Sequence, residues 1–316
     1  MMASTLQQAN AASSTSMHLE PPWKPPQTDA RCLISQMSTS ARSIAAAGHS
    51  LGPVCAACNA QRVTLGLLYY SDPALLREQL AIWSQWAQPV QELFELLVVD
   101  DGSPAAVSAV GVLAEARFTT HAAIRVLGVL PPKLQWNIGG ARNLIMHLAS
   151  SCWVILCDLD YALPSALAAA AAAATRLAGE GTVFKFTRKS KMKPFHPAIA
   201  LIRRDLYWEA GGCDEDFVGN YGMTDPHFWY RLNMRNPPPT VVRNTSWPKL
   251  VTVSADERCK QQKMCRSRES LKATLKAHTL ERNNTANILL FKDKKSGRMP
   301  WSNEYLRFRW TETTFS

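Results

Sequence analysis

The sequence predicts an α/β protein: a doubly wound, mostly parallel sheet flanked by helices, an α/β/α sandwich. Three observations predict it. Between residues 63 and 235, short apolar runs rich in β-branched and aromatic residues alternate with segments of helical spacing, the pattern of parallel strands joined by right-handed crossovers. Two runs stop abruptly at carboxylates, Val98-Val99-Asp100-Asp101 and Leu156-Cys157-Asp158-Leu159-Asp160, and sheets of this class collect functional groups beyond the carboxyl ends of their strands. A glycine pair, Gly139-Gly140, stands where another run gives way to a helix and allows close backbone approach.

Taken in order, residues 1 to about 60 are rich in Ser, Ala, Gln and Pro and lack hydrophobic periodicity, so they are expected to form a disordered extension. Order begins with a strand over residues 63–70. Pro73 then opens a helix carrying Leu75, Leu76, Leu80, Ile82, Trp83 and Trp86. A second strand, 94–99, runs into Asp100-Asp101-Gly102-Ser103-Pro104, which is also suitable chemistry for a turn. A third strand, 124–130, precedes Asn137-Ile138-Gly139-Gly140-Ala141-Arg142-Asn143, where Arg142 on the first helical turn can reach an anion. The run from Trp153 is too short for a helix and reads as a buried strand. If its backbone stays extended to Tyr161, Asp158 and Asp160 project to one side, and two hard oxygen donors there suit Mg2+ or Mn2+ shared with phosphate oxygens.

Beyond this run, the alanine-rich stretch 163–174 reads as a surface or half-buried helix. Residues 199–207 read as a strand leading into a helix. Gly211-Gly212 opens a turn bearing Asp214, Glu215 and Asp216, and an aromatic helix over 226–235 stands behind Asp225. After a short strand at 240–242, a basic region runs from Arg258 to Lys276, and apolar residues at 287–291 and 306–310 are expected to fold back.

The 316 residues suffice for one large domain with extensions, and 47% hydrophobic with 19% charged residues describe a soluble globular chain. A domain over 61–255 is expected, with a basic C-terminal extension, 256–316, packing on it. No apolar run reaches the roughly 18 residues of a membrane span, and no secretory segment is visible. A cytoplasmic protein is therefore expected, an organelle transit peptide being the alternative. The net charge of +10 favours anionic partners without choosing among them. The eight cysteines are scattered, so Cys152, Cys157 and Cys213 read as small core residues rather than parts of a disulfide framework. Cys55-x-x-Cys58 lacks a second pair at zinc spacing.

Four motifs in order, Val98-Val99-Asp100-Asp101-Gly102-Ser103, the Asn137–Asn143 stretch, Cys157-Asp158-Leu159-Asp160, and a block from His196 to Leu232, resemble the GT-A glycosyltransferases of the family-2 type. The resemblance covers residues 63 to about 235 and implies a Rossmann-like GT-A fold. It implies transfer of a sugar, with inversion, from a UDP- or GDP-sugar to a glycan, protein or small-molecule hydroxyl, with Mn2+ or Mg2+ as cofactor and nucleic acid not as partner. Carried over residue by residue, it implies Asp101 with Asp100 at the nucleoside, Tyr69 and Tyr70 flanking the base, and Asp158 supporting the ribose, with Arg142, read above as an anion contact, on the donor side. Asp160 would hold the metal and Asp225 would be the base. His227 is a further metal candidate because neutral imidazole suits Mn2+. The family's Glu-Asp motif reads Thr224-Asp225 here, which bears on the acceptor. His196, Asp214 and Asp216 are assigned to the acceptor side or to structure. Two rival readings are a catalytically inactive nucleotide-sugar-binding module and a nucleotidyltransferase. The second would need a glycine-rich loop after the first strand, where this chain has Tyr69-Tyr70-Ser71-Asp72-Pro73.

Overall fold

A computed structural model of the chain describes residues 14–18, 58–116, 121–134, 137–190, 194–253 and 285–315. The expected basic helices of 258–276 lie outside them, as does most of the expected disordered extension. The strands are β1 (Ser14–His18), β2 (Asn59–Tyr69), β3 (Phe94–Asp100), β4 (Ala123–Leu130), β5 (Ser151–Cys157), β6 (Tyr161–Ala162), β7 (Thr182–Thr187), β8 (Phe195–Arg203), β9 (Thr240–Arg243), β10 (Val251–Thr252) and β11 (Arg309–Phe315). Nine form one sheet in the order β1-β11-β4-β3-β2-β5-β8-β7-β9, while β6 and β10 pair separately. Strands β4, β3, β2 and β5 are parallel neighbours; β8 and β11 alone run against the common direction, so seven of the nine strands point the same way.

Every residue of β3 and β5 is buried. Continuous apolar runs behave this way when helices cover both faces of the sheet. The helices are α1 (Pro73–Ser84), α2 (Gln88–Gln91), α3 (Ala109–Glu115), α4 (Ile138–Leu148), α5 (Ser165–Thr175), α6 (Arg204–Glu209), α7 (Thr224–Asn233) and α8 (Thr285–Lys295). Leu76, Leu80 and Trp83 of α1, Val112 of α3 and Leu167 of α5 pack against Leu65 and Leu67 on one face of the sheet. On the other, Leu144 and Ile145 of α4 and Phe228 and Leu232 of α7 pack against Leu97, Val154 and Ile202. Pro73 occupies the first turn of α1 as expected, and Asp72 caps the helix by accepting a hydrogen bond from the Leu75 amide at 3.1 Å.

Three expectations change. Cys152 is not a free core thiol but is disulfide-bonded to Cys58, tying the start of β2 to that of β5. Ser14–His18, within the stretch read as disordered, is a strand paired with β11. The C-terminal segment does more than pack on the domain, because β11 pairs with β4 from Arg309↔Leu130 to Phe315↔Ile124 and so belongs to the sheet. Arg125 fastens it there: its Nε donates to Glu312 at 2.6 Å and its Nη1 to the buried Glu95 at 2.8 Å. Glu95 also accepts from Thr64 Oγ1 and from the Ser150 amide and hydroxyl. Among the described residues no helix is long and apolar enough to cross a membrane.

Candidate active site

The carboxyl ends of β2, β3 and β5 lie side by side, and the sequence placed its acids there. Asp100 is buried, with Oδ1 accepting from the Ser103 amide and Oδ2 from the Ala109 amide, both at 2.8 Å. Its carboxylate thus shapes the turn and the start of α3. Asp101 pairs with Lys133 at 2.9 Å and accepts from the Asn137 amide at 3.3 Å. Burial pushes the Asp101 carboxyl above its usual range, and Lys133 only partly offsets this. Tyr70 is 56% exposed with the Lys133 ammonium 5.4 Å from its ring centroid, whereas Tyr69 is buried and its hydroxyl donates to the Val107 carbonyl. Asp101, Lys133 and Tyr70 therefore form one group. Lys133 carried no signal in the sequence beyond its charge.

The strand carrying Asp158 and Asp160 ends earlier than expected. Backbone pairing stops at Cys157, and Asp158–Asp160 form a turn in which the Tyr161 amide donates to the Asp158 carbonyl at 3.2 Å. Extended alternation therefore does not align Asp158 with Asp160. The two carboxylates still feel each other, since the Asp160 carboxyl is raised by burial and then by the charge of Asp158.

Helix α4 brings the third group. A Cβ on Gly140 would overlap the Asn137 side chain and the Phe308 ring, so the close approach needs glycine. Two adjacent polar residues then divide the work. Asn143 is fully buried and uses all four of its bonds: Nδ2 donates to the Cys213 carbonyl and Glu215, and Oδ1 accepts from the Tyr207 hydroxyl and the Cys213 amide. Arg142, also buried, points at the site. Its Nη2 donates to Asp158 at 3.0 Å and its Nη1 pairs with Asp225. One guanidinium thus bridges the two carboxylates, using a different terminal nitrogen for each.

No family model matches the sequence, and no curated protein matches it either. Solved structures similar in chain path include Staphylococcus aureus TarS (residues 1–349), at 14% identity and a TM-score of 0.49, covering 63% of this chain and 62% of that one. Another is the mannosyltransferase PcManGT from Pyrobaculum calidifontis, solved with GDP-Man and Mn2+, at 18% identity and a TM-score of 0.47, covering 69% and 63%. A third is the catalytic domain of Drosophila β1,4-galactosyltransferase 7 with xylobiose, at 12% identity and a TM-score of 0.41, covering 66% and 77%. The chain thus spans a little over three fifths of the first two structures.

Asp225 sits in the first turn of α7, which follows Met223 in the left-handed conformation at φ 64°. Thr224 is buried, with its methyl 3.3 Å from where a Cβ on Gly139 would lie. His227, two residues past Asp225, falls on the opposite side of the helix. There it is wholly buried among Phe217, Trp301 and Phe291, with Nε2 4.0 Å from Asp214. Burial pushes its pKa down to about 4. The structure does not bring His227 to Asp160; it packs the ring as a neutral core side chain.

The acidic turn after Gly211-Gly212 is held by the C-terminal segment. Lys294, fully buried, reaches Asp214 at 2.8 Å, Asp216 at 2.7 Å and the Pro300 carbonyl at 2.8 Å. Glu215 accepts from the Leu306 and Arg307 amides, and Asn287 donates to the carbonyls of Phe217, Asn220 and Gly222. These bonds fix the loop that leads into Asp225. No single position in the sequence announced them.

Opposite α7, His196 accepts at Nδ1 from the Ala198 and Ile199 amides, which leaves its proton on Nε2. That tautomer offers a donor rather than a metal lone pair, and burial pushes the pKa down to about 4. Among the described residues no three His, Cys, Asp or Glu side chains cluster as a metal cage. Asp158 and Asp160 fit a cation of another kind. Mg2+ is commonly held by one or two carboxylates with phosphate oxygens and water supplying the rest, and a divalent charge would relieve the repulsion that raises Asp160.

Proposed function

We propose that the chain is a metal-dependent, inverting glycosyltransferase that moves a sugar from a UDP- or GDP-sugar to an acceptor hydroxyl. The observation that carries the reading is the Arg142 bridge, which joins the carboxylate following β5 to the one opening α7. Residues far apart in sequence, and singled out for different roles in one reaction, thereby share a single guanidinium. Asp101 and Tyr70 would receive the nucleoside. Asp160, with Asp158 beside it, would hold Mn2+ or Mg2+, which supplies Lewis-acid stabilisation of the departing diphosphate. Asp225 would take the proton from the attacking hydroxyl, an effect worth roughly 10^2 to 10^4 in rate. Arg142 would hold the Asp225 carboxylate in place until the acceptor arrives. No covalent enzyme intermediate is needed.

The test is a thermal-shift series of nucleotide sugars with and without Mn2+. A cognate donor at 100 times its dissociation constant adds about 2.7 kcal/mol. Asp160→Asn is expected to abolish the metal-dependent part of that shift. Asp225→Asn is expected to keep the shift and lose turnover. Turnover surviving in Asp225→Asn would remove the base assignment, and donor binding without turnover in the wild type would favour the inactive module.

A further inference from the structure

The strand pair β7–β9 sets two cations directly opposite each other: Lys185 is in register with Arg243. In a parallel pair, partners in register present side chains to the same face, and like charges so placed destabilise the sheet. No carboxylate pairs with either one among the described residues. The Lys185 ammonium instead donates to the Pro197 carbonyl at 2.9 Å and lies 3.2 Å from the centroid of the Trp229 ring. Trp229 is one helical turn beyond Asp225, on the same face of α7. Burial, and then the charges of Arg142 and Arg243, push Lys185 down to about 7. Concentrated positive charge without a counter-charge is a poor way to stabilise a fold, and a reasonable way to receive an anion.

A second observation is independent of charge. Two buried donors beside Lys185 have no acceptor: Trp229 Nε1 and Arg142 Nε. Both residues line the same small cavity between β8 and α7, together with Asp225, Ala198 and Ile202. Unpartnered buried donors are rare; this mostly apolar cavity is not lined by Lys185 or Arg243, but Trp229 belongs to both it and the cation pair, so its indole N–H is a donor that a ligand oxygen seated beside Lys185 would satisfy.

We propose that Lys185, Arg243 and Trp229 form an acceptor subsite for an acidic sugar, whose carboxylate, sulfate or phosphate group lies between the two cations while its ring packs beside the indole that Lys185 covers. The assignment of this anion to the acceptor rests on the transferase reading above; the anion subsite itself does not. It places negative charge beside Trp229, one helical turn from Asp225. Arg243 is exposed on an edge strand and Lys185 is half-buried, so a large acceptor can reach both.

The experiment measures binding by titration calorimetry, in low and moderate salt, of four disaccharides: one ending in glucuronic acid, its carboxyl-reduced neutral counterpart, and the sulfated and phosphorylated forms of the neutral one. At least one acidic form is expected to bind tenfold or more tighter than the neutral form, with a preference that shrinks as salt rises. The tightest of the three identifies carboxylate or ester. Lys185→Met, which keeps an apolar stem over Trp229, and Arg243→Ala on the exposed edge are each expected to cut the preference at least threefold, with a Tm equal to or above that of the wild type because the repulsion is gone. Equal binding of acidic and neutral forms would overturn the proposal. So would variants that keep the preference, or a lower Tm in both. Donor binding is read separately: acidic preference with no shift from any UDP- or GDP-sugar would leave the anion subsite standing and remove the transferase. A donor shift without acidic preference would do the reverse.

Discussion

Replacing Lys294 by Met should cost the protein about 3 kcal/mol. Removing one partner of a buried ion pair costs about 3–5 kcal/mol, because the carboxylate left behind has lost its counter-charge but not its burial. Here the lower end applies. Asp214, fully buried, keeps two backbone donors, the Asp216 amide on Oδ1 and the Ser302 amide on Oδ2, each at 3.0 Å. Asp216 keeps Arg307 at 2.8 Å. Met fills most of the lysine's volume, so the loss is electrostatic rather than a cavity. For a domain of this size, each kcal/mol moves Tm by about 2–4 °C, giving a drop of roughly 6–12 °C. Urea unfolding of the wild type, Lys294→Met, Asp214→Asn and the double variant completes a cycle. If an unpaired charge is the cause, Lys294→Met must cost much less in the Asp214→Asn background, with a coupling of about 1.5–3 kcal/mol. Equal costs in both backgrounds, or a single-variant loss under about 1 kcal/mol, would show that an unpaired Asp214 charge is not the cause.

Arg125→Met should destabilise by about 3 kcal/mol, since it strands the buried Glu95 and frees Glu312 on β11; equilibrium unfolding checks this, with amide exchange at β11 as the local readout. Gly140→Ala should cost about 1–3 kcal/mol, because its methyl would meet Asn137 and Phe308, and donor binding should weaken with it. His196 and His227 are both pushed down to about 4, so between that value and about 6.5 the unfolded chain binds protons that the folded one refuses. Stability should therefore fall as pH drops from about 6.5 to about 4, and His227→Phe should remove close to one proton from the slope measured by urea unfolding across that range. Peptide mapping without reductant should recover Cys58 and Cys152 on linked peptides.

Much of the parallel centre was legible because its strands are buried on both faces and read as unbroken apolar runs. Strand β3 began at the expected Phe94 and ended one residue late, and β4 began one residue early and ended as expected at Leu130. The start of α1 followed from Pro73, but its end did not: Trp86, counted on the helix by spacing, lies beyond the last helical residue, Ser84. The failures have a common cause. The turn at Asp158–Asp160, where the Leu159 carbonyl accepts from Gln79 and the Asp160 carbonyl from the Val253 amide, the burial of His227 and the bonding of Cys152 all involve partners remote in sequence, and periodicity reports only what is near.

The letters alone determined where acids would meet the ends of strands, since an apolar run halted by a carboxylate has few other readings in a sheet with covered faces. They also put Arg142 on a helix start. The tertiary structure decided what each group does with its charge: Asp100 spent on two amides, Arg142 shared between Asp158 and Asp225, Lys294 sealed under the acidic turn. The physical reason is that a residue's propensity is a property of its own backbone and nearest neighbours, whereas an ionised side chain in a poorly solvated interior takes its role from whichever counter-charge the fold delivers.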